Sequence, residues 1–221
     1  LTPPFGPGLW EVIGLTLRVT GTALALSTLV GVPAGAALAF SRFPGRSLLV
    51  TLIYTGMGFP PVVVGLAVYL LLSRSGPAGS LEWLFTPNAM ILAQCIIALP
   101  LITGLTQTAI ESIDPDLRLQ VLSLGASRRQ QISTLVLEAR QGVIASLVAG
   151  FGGIISEVGA AMLVGGNIEG STRVLSTDII LQTRQGNFAL ALALGGVLLA
   201  ITFGVNVVLL RLQGTALWRR S

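Results

Sequence analysis

Histidine and lysine are both missing from the 221 residues, and cysteine occurs once, as Cys95. Each absence removes a class of chemistry. Without lysine there is no GxxxxGK(S/T) loop, so the chain cannot supply the phosphate-binding P-loop of a nucleotide hydrolase and is expected to neither bind nor hydrolyse ATP by itself. Without histidine, and with a single thiol, neither an imidazole or thiolate metal site nor a disulfide framework assembles within one chain. Cys95 lies in an apolar run and reads as a buried free thiol. Charged side chains make up only 10% of the residues, against roughly 25% in soluble domains. The apolar stretches hold no paired carboxylates, which with the missing histidine and lysine argues against a membrane-embedded enzyme.

What is present is apolar: 52% hydrophobic residues and a mean hydropathy of +0.85. A spanning helix needs about 20 mainly apolar residues. Five stretches qualify, near 16–40, 48–72, 88–110, 142–164 and 188–212, so the expected fold is all-α, a transmembrane helix bundle. The first ten residues hold Pro3, Pro4 and Pro7 but no basic region, so no cleaved signal peptide is expected there; whether the N-terminus is trimmed stays open.

The net charge of +4 rests on arginine alone. Alternating five spans across a bilayer puts Arg42, Arg46, Arg118, Arg128, Arg129, Arg140, Arg211, Arg219 and Arg220 on one side and Arg18, Arg74, Arg173 and Arg184 on the other. The positive-inside rule then predicts a cytoplasmic C-terminus and an external N-terminus. The same distribution explains the high isoelectric point without nucleic acid, for which no binding is expected.

This topology makes residues 111–141 the largest cytoplasmic loop. Asp114 followed by Pro115 predicts a capped helix start, and Asp116 adds negative charge where the helix dipole favours it. Leu117, Leu119, Val121, Leu122 and Leu124 continue this helix to Gly125, a residue suited to the left-handed conformation beyond a helix end. Ser127 with Gln130 forms a second start, a capping box, ahead of Ile132, Leu135, Val136 and Leu137. The expectation is helix, tight turn, helix; a bare connector between two spans is the plain alternative.

The stretch LQVLSLGASRRQQISTLVLEAR resembles the "EAA" loop of ATP-binding cassette (ABC) importer permeases, a glycine followed ten residues later by an I-x-L-P-like group. Gly125 and the run Leu135, Val136, Leu137 stand at that spacing, while Leu119 replaces the signature's glutamate and Glu138 its terminal proline. GFPPVVVGLAVYLLLSRSGPAG at 58–79, SEVGAAMLVGGNIEG at 156–170 and NFALALALG at 187–195 are similar to permeases of the molybdate, sulfate and tungstate importers, the last two segments closest to the tungstate type. The resemblance implies a type I importer permease in a bacterial or archaeal cell membrane. It implies a homodimer with two ATPase subunits that carry the ATP, and an extracytoplasmic oxyanion-binding protein. On the same ground Leu119, Leu122, Gly125 and Ala126 would meet the ATPase, with Arg128 and Arg129 as a polar rim. Pro60, Pro61, Ser156, Glu157, Gly159, Asn167 and Arg173 are the expected pathway or gate residues.

Within the spans, Pro33, Pro60, Pro61 and Pro100 each remove a backbone donor and can kink a helix. Gly31 with Gly35, and Gly152, Ser156 and Ala160, mark faces for close helix packing, against either this chain or a second copy. Glu157 is the acidic residue deep in a predicted span, functional by default; repulsion from a dianion favours a hydrogen-bonding role, with a merely structural acid equally weighted. The loop 165–186 predicts a short amphipathic helix opened by Ser176 or Thr177, with Arg173 and Arg184 facing a partner, the anion or solvent. The rival reading is an autonomous secondary transporter. No internal repeat, no second intramembrane carboxylate and the docking elbow argue against it.

Overall fold

A computed structural model describes residues 8–212; Pro3, Pro4, Pro7, Arg219 and Arg220 fall outside them. The described residues form an all-helical chain: α1 Gly8–Phe40, α2 Arg46–Met57, α3 Pro61–Leu72, a 3-10 turn Gly79–Leu81, α4 Pro87–Glu111, α5 Pro115–Ser123, α6 Arg128–Glu138, α7 Arg140–Ile155, α8 Gly159–Gly165, α9 Leu175–Arg184 and α10 Phe188–Leu212. Helices α1, α4 and α10 are each long and apolar enough to cross a bilayer, and two bent pairs bring the crossings to as many as five.

The stretch expected as one span over 48–72 is instead two helices, α2 and α3, meeting at 103°. The cause is local. Pro60 and Pro61 offer no backbone N–H, and a residue before proline is pushed out of the helical region. Pro60 is extended (φ −61°, ψ 121°) and caps α3, with Pro61 in its first turn. Pro33 and Pro100 stay inside continuous helices. The stretch expected over 142–164 is divided too: α7 stops at Ile155 and α8 begins at Gly159. At the other end α7 meets α6 at 60°.

Helix α4 is the hub. It packs on α1, α2, α3, α7 and α8, and half of its apolar window is buried against 11% for α10. Small residues let its neighbours approach. A Cβ on Gly31 would lie 3.0 Å from Ile102 Cγ2, and one on Gly150 2.9 Å from Ile102 Cγ1, so Ile102 is gripped between α1 and α7. Gly56 makes room for the ring of Pro100 and Gly104 for Met57. The packing face expected from Gly152, Ser156 and Ala160 does not form as one helical stripe. The break interrupts it, Gly152 faces open space, and only Ala160 is packed, against Gly65 of α3.

The tightest point of the α1–α4 seam is Gly35, where an added Cβ would sit 2.5 Å from the Thr103 carbonyl oxygen and 2.9 Å from Thr106 Cβ. Backbone cannot yield as a side chain can. Gly35→Ala is expected to destabilise the bundle by about 1–3 kcal/mol, the usual cost of overpacking. Gly21→Ala, on the same helix but facing open space, should leave stability equal or higher. Thermal unfolding of both variants in detergent checks the contrast.

Candidate functional site: an exposed helical elbow and two broken crossings

The elbow is built from its caps. The Asp114 carboxylate accepts the Asp116 backbone N–H at 2.9 Å and opens α5. At the far end Gly125 adopts φ +74°, and its N–H donates to the Leu122 carbonyl. The Gln130 N–H then donates to Ser127 Oγ while the Ser127 N–H donates to Gln130 Oε1, closing the capping box of α6. Gln131 Nε2 donates to the Ala126 carbonyl at 2.8 Å and holds the turn from the other side.

These bonds leave an apolar surface uncovered. Leu119, Leu122 and Leu124 are 60%, 52% and 86% exposed, and Leu137 is 66% exposed. Ala126 is half-buried, so it supports the turn more than it presents a face. Arg128 and Arg129 are exposed beside it. Four large leucines exposed on two short helices and the turn between them have no explanation in the fold of this chain, and exposed apolar surface of this kind marks a binding surface.

Two arginines tie the elbow to the crossings, and nothing in their local sequence singles them out from the other topological charges. Arg118 Nη2 donates to the Ile110 carbonyl at 2.7 Å, at the end of α4. Its guanidinium also lies 5.9 Å from the Phe40 ring centroid, at the end of α1. Arg46 opens α2, donates from Nε to the Leu38 carbonyl and pairs with Glu111, which also accepts from Gln107. The ends of α1, α2 and α4 are therefore fixed to one another and to α5.

The expected pathway residues divide into two groups. Pro60 and Pro61 come together with Ser156, Glu157 and Gly159, because α3 crosses α8: a Cβ on Gly159 would lie 2.6 Å from Val62 Cγ2, and one on Gly65 2.6 Å from Ala160 Cα. Glu157 is not inside a continuous span. It stands at the break, where its Oε1 accepts the Ala160 N–H at 2.8 Å, and its carbonyl accepts from Ser176 Oγ at 3.2 Å. Ser156, exposed on the same break, turns its Oγ back to the Gly152 carbonyl.

Asn167 and Arg173 lie apart, in the loop after α8. Asn167 takes a left-handed turn at φ +52°. Arg173, mostly buried, pairs with Glu169 at 3.2 Å. With Arg18, Asp178 and Gln182 it lines a cavity of about 850 Å³ between α1, α9 and α10. Helix α9 starts one residue before Ser176, capped at Val174, whose N–H donates to Thr177 Oγ1; Thr177 thus serves the start from its third position. Gln94 of α4 also contributes to the break between α7 and α8, a contact no local pattern announces.

A family model described as the inner membrane component of binding-protein-dependent transport systems matches residues 31–214. A probable anion ABC transporter permease protein of Haloferax volcanii is 44% identical over 205 residues, which is 90% of this chain and 88% of the relative. The tungstate uptake system permease protein TupB of Peptoclostridium acidaminophilum is 39% identical over 209 residues, 95% of this chain and 92% of the relative. Among solved structures, a bacterial alginate ABC transporter in complex with an alginate-bound periplasmic protein superposes with a TM-score of 0.75 at 22% identity, covering 95% of this chain and 81% of that one. With the helical bundle, its elbow and its broken crossings in agreement, the chain belongs to the family of inner membrane components of binding-protein-dependent transport systems, the permease subunits of ABC importers.

Proposed function

We propose that this permease imports a tetrahedral oxyanion, tungstate first, as a pair of identical chains that enclose the pathway between them. The observation that carries the coupling half of this reading is the elbow, two capped helices that present Leu119, Leu122 and Leu124 to solvent around the positive-φ Gly125. An apolar knob on a rigid turn is what a separate ATPase needs to grip if its closure is to move membrane helices. Arg118 and Arg46 carry that movement to α1, α2 and α4. The anion half rests on the relatives, whose names specify an anion and tungstate.

A pairing of two chains is supported by α10, whose Leu192, Leu199 and Phe203 are 78%, 72% and 72% exposed. One chain leaves this crossing largely uncovered. The orientation is supported by the gathering of Arg46 and Arg118 at the elbow end, which the positive-inside rule assigns to the cytoplasm. The external binding protein then approaches the opposite end, where α9 and the loop from Gly165 lie.

The deciding experiment is purification of the tagged chain from its host membrane, followed by mass spectrometry and an uptake assay. A companion subunit bearing the GxxxxGK(S/T) loop should coelute, and cells carrying the pair should accumulate tungsten in an ATP-dependent way. Excess molybdate should compete more strongly than sulfate if the site is tuned to the larger dianions. Uptake without any ATPase would instead fit an autonomous transporter.

The elbow itself gives a second test. A β-branched residue at Gly125 would be forced into a left-handed conformation costing about 1–2 kcal/mol, and the turn would give way. Gly125→Val should abolish uptake while the protein still inserts, and Gly125→Asn, which tolerates that conformation, should retain most of it. Arg128→Gln should have a small effect, since an exposed rim charge contributes about 0–1 kcal/mol. Full uptake by the valine variant would reduce the elbow to a connector.

A further inference from the structure

Helices α1 and α2 both pack on α4 but scarcely on each other, and the gap between them is a groove of about 580 Å³. Ala34 and Ala37 of α1 make one wall, Leu49 and Leu52 of α2 the other, and Leu99 with Pro100 of α4 the floor. The small side chains on α1 keep it open. Among the lining side chains only those of Ser41 and Thr103 are polar, and Thr103 Oγ1 is spent on the Leu99 carbonyl at 2.7 Å. A hydrated ion would find almost no partner here, and losing its water without one is costly. The groove suits hydrocarbon. Val30 at its rim and Leu52 are 55% and 58% exposed, so no described part of this chain covers it.

Its length chooses among apolar occupants. Along α1 it runs from Val30 to Ser41, about 16 Å at 1.5 Å per residue, which is half of the roughly 30 Å hydrocarbon core. One end lies at Ser41 and Phe43, on the elbow side, where Arg118 reaches Phe40. The other lies at Phe59, where α2 gives way to α3 at 103°. A crossing helix of a second copy runs the full thickness, whereas an acyl chain of one leaflet fills half of it. Charge at the elbow-side end points the same way. Arg42 stands between Ser41 and Phe43, exposed, and has no acidic partner among the described residues. Arg46 is already matched by Glu111, and residues 41–57 contain no carboxylate. One positive charge is left unmatched at the level where the headgroup above such a chain would lie.

We infer that the groove between α1 and α2 is a lipid site: it takes one acyl chain of an anionic phospholipid from the elbow-side leaflet, with the phosphate at Arg42. The lipid completes the packing of α1 and α2 over α4, which the protein leaves open. Only the membrane crossing enters this inference and not the cargo, so failure of the uptake assay would leave it standing.

The test is native mass spectrometry of the permease, with the subunits that purify with it, released from bilayer discs holding equal amounts of phosphatidylglycerol and phosphatidylcholine with identical chains. The parent should retain phosphatidylglycerol in preference. Arg42→Gln should lower the ratio of bound phosphatidylglycerol to phosphatidylcholine about five-fold, the worth of one basic side chain near a membrane surface. Arg211→Gln, an exposed charge on α10, which does not border the groove, should leave the ratio unchanged. Ala37→Trp, at an exposed position of the wall, should fill the groove and remove one bound lipid per chain. Val30→Trp takes its place if that variant fails to insert. No preference in the parent, or an unchanged ratio in Arg42→Gln, would overturn the headgroup assignment and the proposal with it. The same spectra weigh the assembly: if the tryptophan variant sheds a protein chain while its lipid count stays the same, the groove belongs to a second copy and the lipid site is refuted.

Discussion

The structure depends on one constraint: no backbone polar group inside a membrane can be left without a partner. A chain that wants only to cross a bilayer satisfies this with unbroken helices, as α1, α4 and α10 do. This chain interrupts two of its apolar stretches, between α2 and α3 and between α7 and α8, and each interruption has its own residues at the freed backbone groups. At the first, Pro60 and Pro61 remove the very donors that would be orphaned, so the break leaves fewer N–H groups to satisfy. At the second, the Ile154 carbonyl keeps the Glu157 N–H and is also reached by Gln94, the Glu157 carboxylate takes the Ala160 N–H, and Ser176 donates to the Glu157 carbonyl. The two solutions differ in kind. A proline break removes donors, whereas the second interruption keeps its backbone groups and gives them side-chain partners.

The elbow end is held by Arg46 and Arg118, each binding a carbonyl of another helix end, so a push on α5 reaches α1, α2 and α4 together. A packed interior transmits displacement because it has no slack, and the Gly31–Ile102–Gly150 and Gly35–Thr103 contacts leave little. Helix α4 therefore links the elbow at its Glu111 end to the end of α7 that Gln94 reaches. The contacts run along one continuous helix, from the Arg118 bond to Ile110 beside the elbow to the Gln94 bond with α7.

How much of this was legible in the sequence follows from the range of each cause. Asp114, Pro115, Gly125, Ser127 and Gln130 act on neighbours within a few residues, and the caps they announce are the caps that form. The long apolar runs likewise mark α1, α4 and α10. The breaks were less legible because hydropathy is blind to them: 48–72 and 142–164 are as apolar as a straight span. Pro60 and Pro61 carried the signal for the first, read as a kink where they end a helix. The second had Glu157 as its sign, an acid too costly for a continuous span. Arg46 with Glu111 and Gln94 with Ile154 join residues 65 and 60 apart in sequence, and no local pattern contains them.

Charge placement bears on what such a pathway can carry. Residues 19–40, 47–73, 83–110, 141–156 and 185–210 contain no charged side chain, and Glu157 spends its carboxylate on a helix start. Arg18 and Arg173 line the cavity beside α9, outside those stretches. A fixed arginine within the crossings would hold a dianion strongly in a medium of low dielectric constant, and conduction requires that binding be weak enough for the cargo to leave. Neutral crossings with arginine confined to their ends suit an oxyanion that is delivered by one protein and released by the work of another. On that reading selectivity belongs to the protein that delivers the anion. What the permease contributes is a pathway whose long apolar stretches carry no charge that would hold the anion back.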